Sequence, residues 1–265
     1  MDNLKDKFNH KTLVPDTLWI IQDNKKYTKS DTCNNYLLKL QSPETFYLID
    51  TGSGIFNIRQ YIENFILNGR NQPIKVLLTH THFDHSGGIK YFDEIYVNQI
   101  EKVRIEASEK LTYDIADPDS VRNWMSNTFN FVPVDSEKIF TFDQLNDERI
   151  QILNTPGHSP GSCCIYVATG PSVLFSGDTL YRKPTIVNFP TSDIAMFKES
   201  LQTLKKIIVD LEIEMICPGH YFAGRKKEPL HNKDAIVWIE NNLSRHKGIG
   251  SFLSLTTLYQ GNIID

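Results

Sequence analysis

The stretch Val76-Leu77-Leu78-Thr79-His80-Thr81-His82-Phe83-Asp84-His85-Ser86-Gly87-Gly88 decides how the chain is read. Its first residues form a short apolar run of the kind shown by a strand buried on both faces. That run delivers the chain to three histidines and one aspartate within six positions. Neutral imidazoles and carboxylates are ligands that Zn2+ accepts, and a loop leaving a buried strand points alternate side chains at one centre. His80 and His82 therefore share a face, whereas a one-residue shift turns Asp84 and His85 toward a neighbouring volume. The spacing leaves room for two adjacent metals. A solvated histidine-rich turn is the competing reading, and the four-residue set weighs against it.

Ligand types recur downstream where apolar runs end. His158 lies in Thr155-Pro156-Gly157-His158-Ser159-Pro160-Gly161-Ser162, Asp178 follows Val173-Leu174-Phe175-Ser176-Gly177, and His220 follows Met215-Ile216-Cys217-Pro218-Gly219. Any one of these reads equally well as turn chemistry. Together they put five of the eight histidines where expected strands open into Gly-containing loops. His10, His231 and His246 have no such setting and read as surface residues.

Strand and helix signals alternate around these loops. Strands are expected at 18–21, 34–40 and 46–49 as an antiparallel opening, followed by a helix over roughly 55–68 that Asn68-Gly69 stops. A strand at 76–79, a short helix at 89–92, a strand at 95–97 and a helix at about 98–108 come next. The pattern lapses over about 110–134, where Tyr113, Trp124, Met125, Phe129 and Phe131 suggest an aromatic-rich insertion that covers something. Strands return at 149–153, 163–168 and 173–176, then a helix at 195–211 and a strand at 214–217. Two such halves predict an α/β fold, a four-layer αββα sandwich, in one domain over residues 1–265.

Composition excludes other classes. With 265 residues, 40% hydrophobic and 23% charged, the chain is globular rather than disordered, collagen-like or coiled-coil. A net charge of -4 without a basic run argues against nucleic acid as a partner. No apolar stretch approaches the roughly 18 to 20 residues that cross a membrane, so stable membrane insertion is not expected. The polar opening MDNLKDKFNHKTLVPD lacks a secretory core, and Cys33, Cys163, Cys164 and Cys217 read as free thiols in a reducing compartment. A cytoplasmic location is expected.

In order along the chain, Leu48-Ile49-Asp50-Thr51-Gly52, the His-x-His-x-Asp-His run, His158, Asp178 and His220 resemble the motif series of the metallo-β-lactamase superfamily over residues 34 to 222. The resemblance implies the αββα fold and a dinuclear centre. His80, His82 and His158 would hold one metal, Asp84, His85 and His220 the other, with Asp178 bridging and Asp50 orienting ligands from behind. The implied cofactor is two Zn2+, with iron or manganese as alternative occupants. Two ions about 3.5 to 4 Å apart lower the pKa of a shared water to near 7, giving a hydroxide that attacks a carbonyl. Asp84 can then pass a proton to the leaving group. Tyr181, at a spacing from Asp178 resembling that in metallo-lactonases, could reach the carbonyl oxygen, or it is a packed aromatic.

Asp178 stands where cysteine-containing β-lactamase subclasses carry Cys, and the long insertion of nuclease members is absent, so both substrate classes fall in rank. The runs His-Phe-Asp-His-Ser-Gly-Gly, Tyr91-Phe92-Asp93, Pro-Gly-His-Ser-x-Gly-Ser, Leu-Phe-Ser-Gly-Asp and Pro-Gly-His resemble the acyl-coenzyme A thioesterases of the superfamily. The expected substrate is accordingly a small-molecule thioester or ester, first acyl-CoA, with a homodimer as the expected assembly. Arg182, Lys183, Trp124 and Tyr221 are the expected substrate contacts, and Arg225, Lys226 and Lys227 are further cations for CoA phosphates. The rivals are a lactonase, a glyoxalase II-like hydrolase, a mononuclear iron persulfide dioxygenase using His80, His158 and Asp178, and a non-catalytic zinc-binding module. Residues 221 to 265 are too short for the helical glutathione region of glyoxalase II enzymes.

Overall fold

The computed structural model describes residues 4–28, 32–107, 135–168, 170–221 and 232–245. Among the described residues, seven strands form one sheet in sequential order: β1 (Phe8–Val14), β2 (Leu18–Asp23), β3 (Asn34–Leu40), β4 (Thr45–Ile49), β5 (Ile74–Leu77), β6 (Ile95–Val97) and β7 (Ile139–Thr141). β1 to β4 are antiparallel and β4 to β7 parallel. The second sheet contains β8 (Ile150–Asn154), β9 (Cys163–Val167), β10 (Val173–Gly177) and β11 (Met215–Pro218), in the order β11-β10-β9-β8. Only β10 and β11 are parallel in it.

Period-two alternation sorts the apolar side chains into layers. In β3, Tyr36, Leu38 and Leu40 face the core between the sheets, while Leu37 faces outward to the helical side. In β4, Tyr47 and Ile49 point inward and Phe46 and Leu48 outward. The second sheet repeats this, with Ile165 and Phe175 inward and Tyr166 and Leu174 outward. Between the short helix α1 (Lys25–Thr28) and the site helices, α2 (Ile58–Phe65) lays Ile58, Tyr61 and Ile62 on the first sheet. After α3 (Phe83–Ser86) and α4 (Gln99–Ala107), α5 (Ile194–Asp210) packs Phe197, Leu201, Leu204 and Ile208 on the second. α6 (Asn232–Arg245) adds Ala235 and Ile239 to that layer. Helix, sheet, sheet, helix is the four-layer sandwich that the alternating pattern predicts.

The elements differ from the sequence expectation at their ends and by several additions. α2 starts only at Ile58 because Asn57 caps it, accepting from the Gln60 N–H at 2.9 Å. Asn68 and Gly69 do lie beyond its end, with φ of 54 and 78°. The expected helix at 89–92 is a single 3-10 turn, Ile89–Tyr91. β1, α1, α3, β7 and α6 are additions. β1 is an edge strand with mostly exposed side chains, so it carries no strong apolar alternation, and β7 is three residues long. The aromatic insertion with Trp124, the cations Arg225, Lys226 and Lys227, and His231 and His246 lie outside the described residues.

The sheets meet at the ends that carry the motif loops. The Cys163 N–H donates to Thr79 O at 2.9 Å and the Asn34 N–H to Gly219 O at 2.7 Å. Tyr36 Oη and Asn34 Nδ2 donate to Pro218 O at 2.7 and 2.9 Å. Gly177, at φ 47°, permits this approach, since a Cβ there would stand 2.6 Å from Thr79 Cβ. Phe175 is fully buried beside Tyr36, with ring centroids 5.3 Å apart. Phe175→Ala should therefore lower unfolding free energy by about 3–5 kcal/mol. Urea denaturation checks this, and a change below about 1 kcal/mol would contradict an intersheet core at this position.

Candidate metal centre

Asp50, the His80–His85 run, His158, Asp178 and His220 each follow a strand: β4, β5, β8, β10 and β11. The turn of side chains between His82 and Asp84 has a local cause. His82 is extended at φ -64 and ψ 151°, and α3 begins directly after it. Asp84 and His85 are thus carried by a single helical turn rather than by continued extended chain, which is why they face a different volume.

The first group is His80, His82 and His158. His82 Nδ1 lies 3.1 Å from His80 Nε2 and 2.9 Å from His158 Nε2. The second is Asp84, His85 and His220, where His220 Nε2 is 3.1 Å from Asp84 Oδ2 and 3.3 Å from His85 Nε2. Asp178 stands between them. Its Oδ2 is 3.5 Å from both His158 Nε2 and His220 Nε2, and its Oδ1 is 3.4 Å from His85 Nε2.

These atoms fit a cation better than they fit one another. Three ring nitrogens facing each other have too few protons to satisfy all the contacts, and Asp178 Oδ1 is buried without a hydrogen-bond partner among the described residues. Buried polar atoms that converge and lack partners are costly unless something binds them. The imidazole and carboxylate donor set matches a divalent transition metal.

The rear nitrogens are fixed from behind. His158 Nδ1 donates to Ile186 O at 2.7 Å and His220 Nδ1 to Thr32 O at 3.3 Å, so each ring keeps a proton at the rear and turns Nε2 toward the centre. His85 Nδ1 is 2.8 Å from Asp50 Oδ2 and 3.4 Å from Cys33 Sγ. Asp50 also accepts from the Thr79 N–H at 2.8 Å and from Thr79 Oγ1 at 2.9 Å, and that hydroxyl is 3.1 Å from His80 Nδ1. Asp50 therefore stands behind one residue of each group. Its left-handed backbone, φ 58°, is held by these bonds.

The protonation states differ between the two groups. Burial, with mutual repulsion among the rings, holds His80 well below its ordinary value, lowers His82 to about 3 and lowers His158. Burial opposes ionisation of Asp84, but His85 and His220 outweigh it and hold the carboxyl at about 2. Asp178 is held well below the usual range against the same burial, chiefly by His220 and His85. Burial would lower His85 and His220 too. Cys33 and the carboxylates of Asp178, Asp84 and Asp50 raise His85, and Asp178 with Asp84 raises His220.

Tyr181 is buried, its ring 6.0 Å from that of His220 and 5.4 Å from that of Tyr221, and its hydroxyl accepts from the Ile186 N–H at 3.2 Å. Lys183 Nζ lies 4.4 Å over the half-buried Tyr221 ring, and Arg182 is exposed. His10 is exposed, its Nδ1 2.8 Å from Tyr61 Oη. Two neighbours of the centre carry no sequence signal. Phe189 places its ring 4.7 Å from His82 and 5.3 Å from His158, and Cys33 stands behind His85.

A family model described as the metallo-beta-lactamase superfamily matches residues 29–220. Acyl-coenzyme A thioesterase MBLAC2 of Gallus gallus is 28% identical over 229 residues, covering 81% of this chain and 80% of that protein. Among solved structures, a metallo-beta-lactamase from Pontibacter korlensis is similar with a TM-score of 0.63 at 15% identity, covering 91% of this chain and 100% of that one. TTHA1623 in a di-iron-bound form is similar with a TM-score of 0.55 at 23% identity, covering 76% of this chain and 90% of that one. The strand-end loops, their converging histidines and aspartates, and a family match over most of the sequence agree: the chain belongs to the metallo-β-lactamase superfamily and is a hydrolase of it.

Proposed function

We propose that the chain is a dinuclear-zinc thioester hydrolase whose substrate is an acyl-CoA. The observation that carries the two-metal part is Asp178, whose carboxylate reaches both ligand groups at 3.4 to 3.5 Å. Two divalent ions, when bound, supply a water acidified to near neutral pH and a Lewis acid for the carbonyl. His80, His82 and His158 would hold one ion and Asp84, His85 and His220 the other, with Asp178 within reach of both groups.

The chain's own groups supply the remaining steps. Asp84 is a carboxylate at neutral pH. It can take a proton from the attacking water and return it to the departing thiolate. Burial keeps Tyr181 a phenol, with its pKa well above the ordinary value. The Ile186 N–H donates to its hydroxyl, whose O–H would donate to oxygen where negative charge develops. Phe189 stands as an apolar wall beside His82 and His158 of the first group.

The thioester assignment is supported by the similarity to MBLAC2 thioesterases, which covers four-fifths of both chains. Lys183 over the Tyr221 ring, with the exposed Arg182 preceding it in the chain, suits an anionic leaving group such as CoA. No helix among the described residues is long and apolar enough to cross a membrane. A cytoplasmic location accords with four unpaired buried cysteines. Tyr181 favours a lactonase as the second reading, and the di-iron form of TTHA1623 favours iron as the alternative occupant.

Rates on a panel of acyl-CoAs and lactones test the substrate class, and hydrolysis of lactones without thioesters would reverse the assignment. Tyr181→Phe should lower kcat roughly 10²- to 10³-fold with metal content unchanged, whereas a kcat equal to that of the parent assigns Tyr181 to packing. Asp178→Asn should abolish hydrolysis and lose most of the second ion by plasma mass spectrometry; retention of both would contradict the bridge. Near pH 6.5, the unperturbed histidine value, the first group is already neutral because its pKa values are lowered, so uptake of the first ion should release few protons. His85 and His220 have raised values, so the second ion should displace protons. Calorimetry in buffers of differing ionisation enthalpy reads both numbers, and the reverse order would contradict the assignment.

A further inference from the structure

Glu101 lies in the first turn of α4, whose start Asn98 caps by accepting from the Ile100 N–H at 2.9 Å. A glutamate there ordinarily faces water, yet this one is fully buried. Its Oε1 accepts from Ser159 Oγ at 2.7 Å and from the Gly161 N–H at 2.9 Å, and its Oε2 accepts from Thr81 Oγ1. Thr81 stands between His80 and His82, and Ser159 directly follows His158. One carboxylate thus fastens, a single residue away from every ligand of the first group, the two loops that must meet for those imidazoles to converge.

The surroundings are shaped for this contact. A Cβ on Gly161 would stand 2.6 Å from Glu101 Cγ and 3.0 Å from Oε1, so the loop can approach only with glycine there. Ser159 Oγ is also 2.7 Å from Ser162 Oγ, which accepts from the Ser159 N–H at 3.1 Å. Burying a carboxylate is costly unless donors replace its water, and apolar packing would hold two loops together more cheaply. Directional donors fix position as well as proximity. The His220 loop is held separately, through Asn34 and Tyr36.

We propose that Glu101 is a positioning residue that sets the placement of His158 against His80 and His82, and through it the affinity of the first metal position alone. The inference rests on the two-metal reading above. Competition titration of the purified full chain with a chelator, with Co2+ as the probe and its visible absorption as a second readout, tests it. Glu101→Ala should weaken the first ion by about 10- to 100-fold, alter the first site's Co2+ spectrum, and leave the second ion within about threefold. Glu101→Gln, which keeps an acceptor for Ser159 and Gly161, should recover most of the loss. Equal weakening of both ions, or none, would overturn the proposal. Should Glu101→Ala fail to fold, Thr81→Val removes one donor and is scored the same way: selective loss at the first ion supports the role, and unchanged affinity contradicts it. A parent chain that takes up fewer than two ions sinks the metal reading and this proposal with it, whereas a parent that takes up two beside an unaffected Glu101→Ala sinks only the role of Glu101.

Discussion

The constraint on which the structure turns is a shortage of protons at one buried place. Five imidazoles and two carboxylates converge from loops of both sheets, and their inward nitrogens and oxygens face one another at 2.9 to 3.8 Å. Such a cluster is unfavourable by itself: the rings cannot all ionise together, and Asp178 Oδ1 has no hydrogen-bond partner among the described residues. It persists because each loop is tied from behind. Asp50 with Thr79, Ile186 O, Thr32 O and the Glu101 carboxylate each hold one part of it. Divalent cations would satisfy the cluster, and the sandwich brings strand ends from two sheets close enough to offer ligands from two sides.

The same arrangement distinguishes the two groups electrostatically. The first is all imidazole and held toward the neutral form by burial, so an ion bound there would displace few protons. The second pairs imidazoles with carboxylates, which raises His85 and His220 and lowers Asp84. Asp178 couples the two through one side chain. A substrate carbonyl above this pair would meet Phe189 on the side of the first group and Tyr181 on the side of His220.

Much of this was legible in the sequence because the ligands come in short runs at the ends of apolar segments. Strands 34–40 and 95–97 match the structure because their apolar runs and boundaries are clear. The change of face after His82 also appears as expected, although its cause is a helical turn, not an alternating strand. What was hidden lacks a local pattern. β1 is a polar edge strand, Asn57 shortened a helix whose apolar spacing runs further, and Phe189 sits in a loop without periodicity. Glu101 looks like an ordinary solvated acid in a helix, and only the fold shows Thr81, Ser159 and Gly161 gathered around it.

Anomalous X-ray diffraction from crystals of the chain grown with zinc tests the central claim most directly. The account predicts two peaks about 3.5 to 4 Å apart, one among His80, His82 and His158 and one among Asp84, His85 and His220, with Asp178 reaching both. A single peak, or peaks away from these side chains, would contradict it.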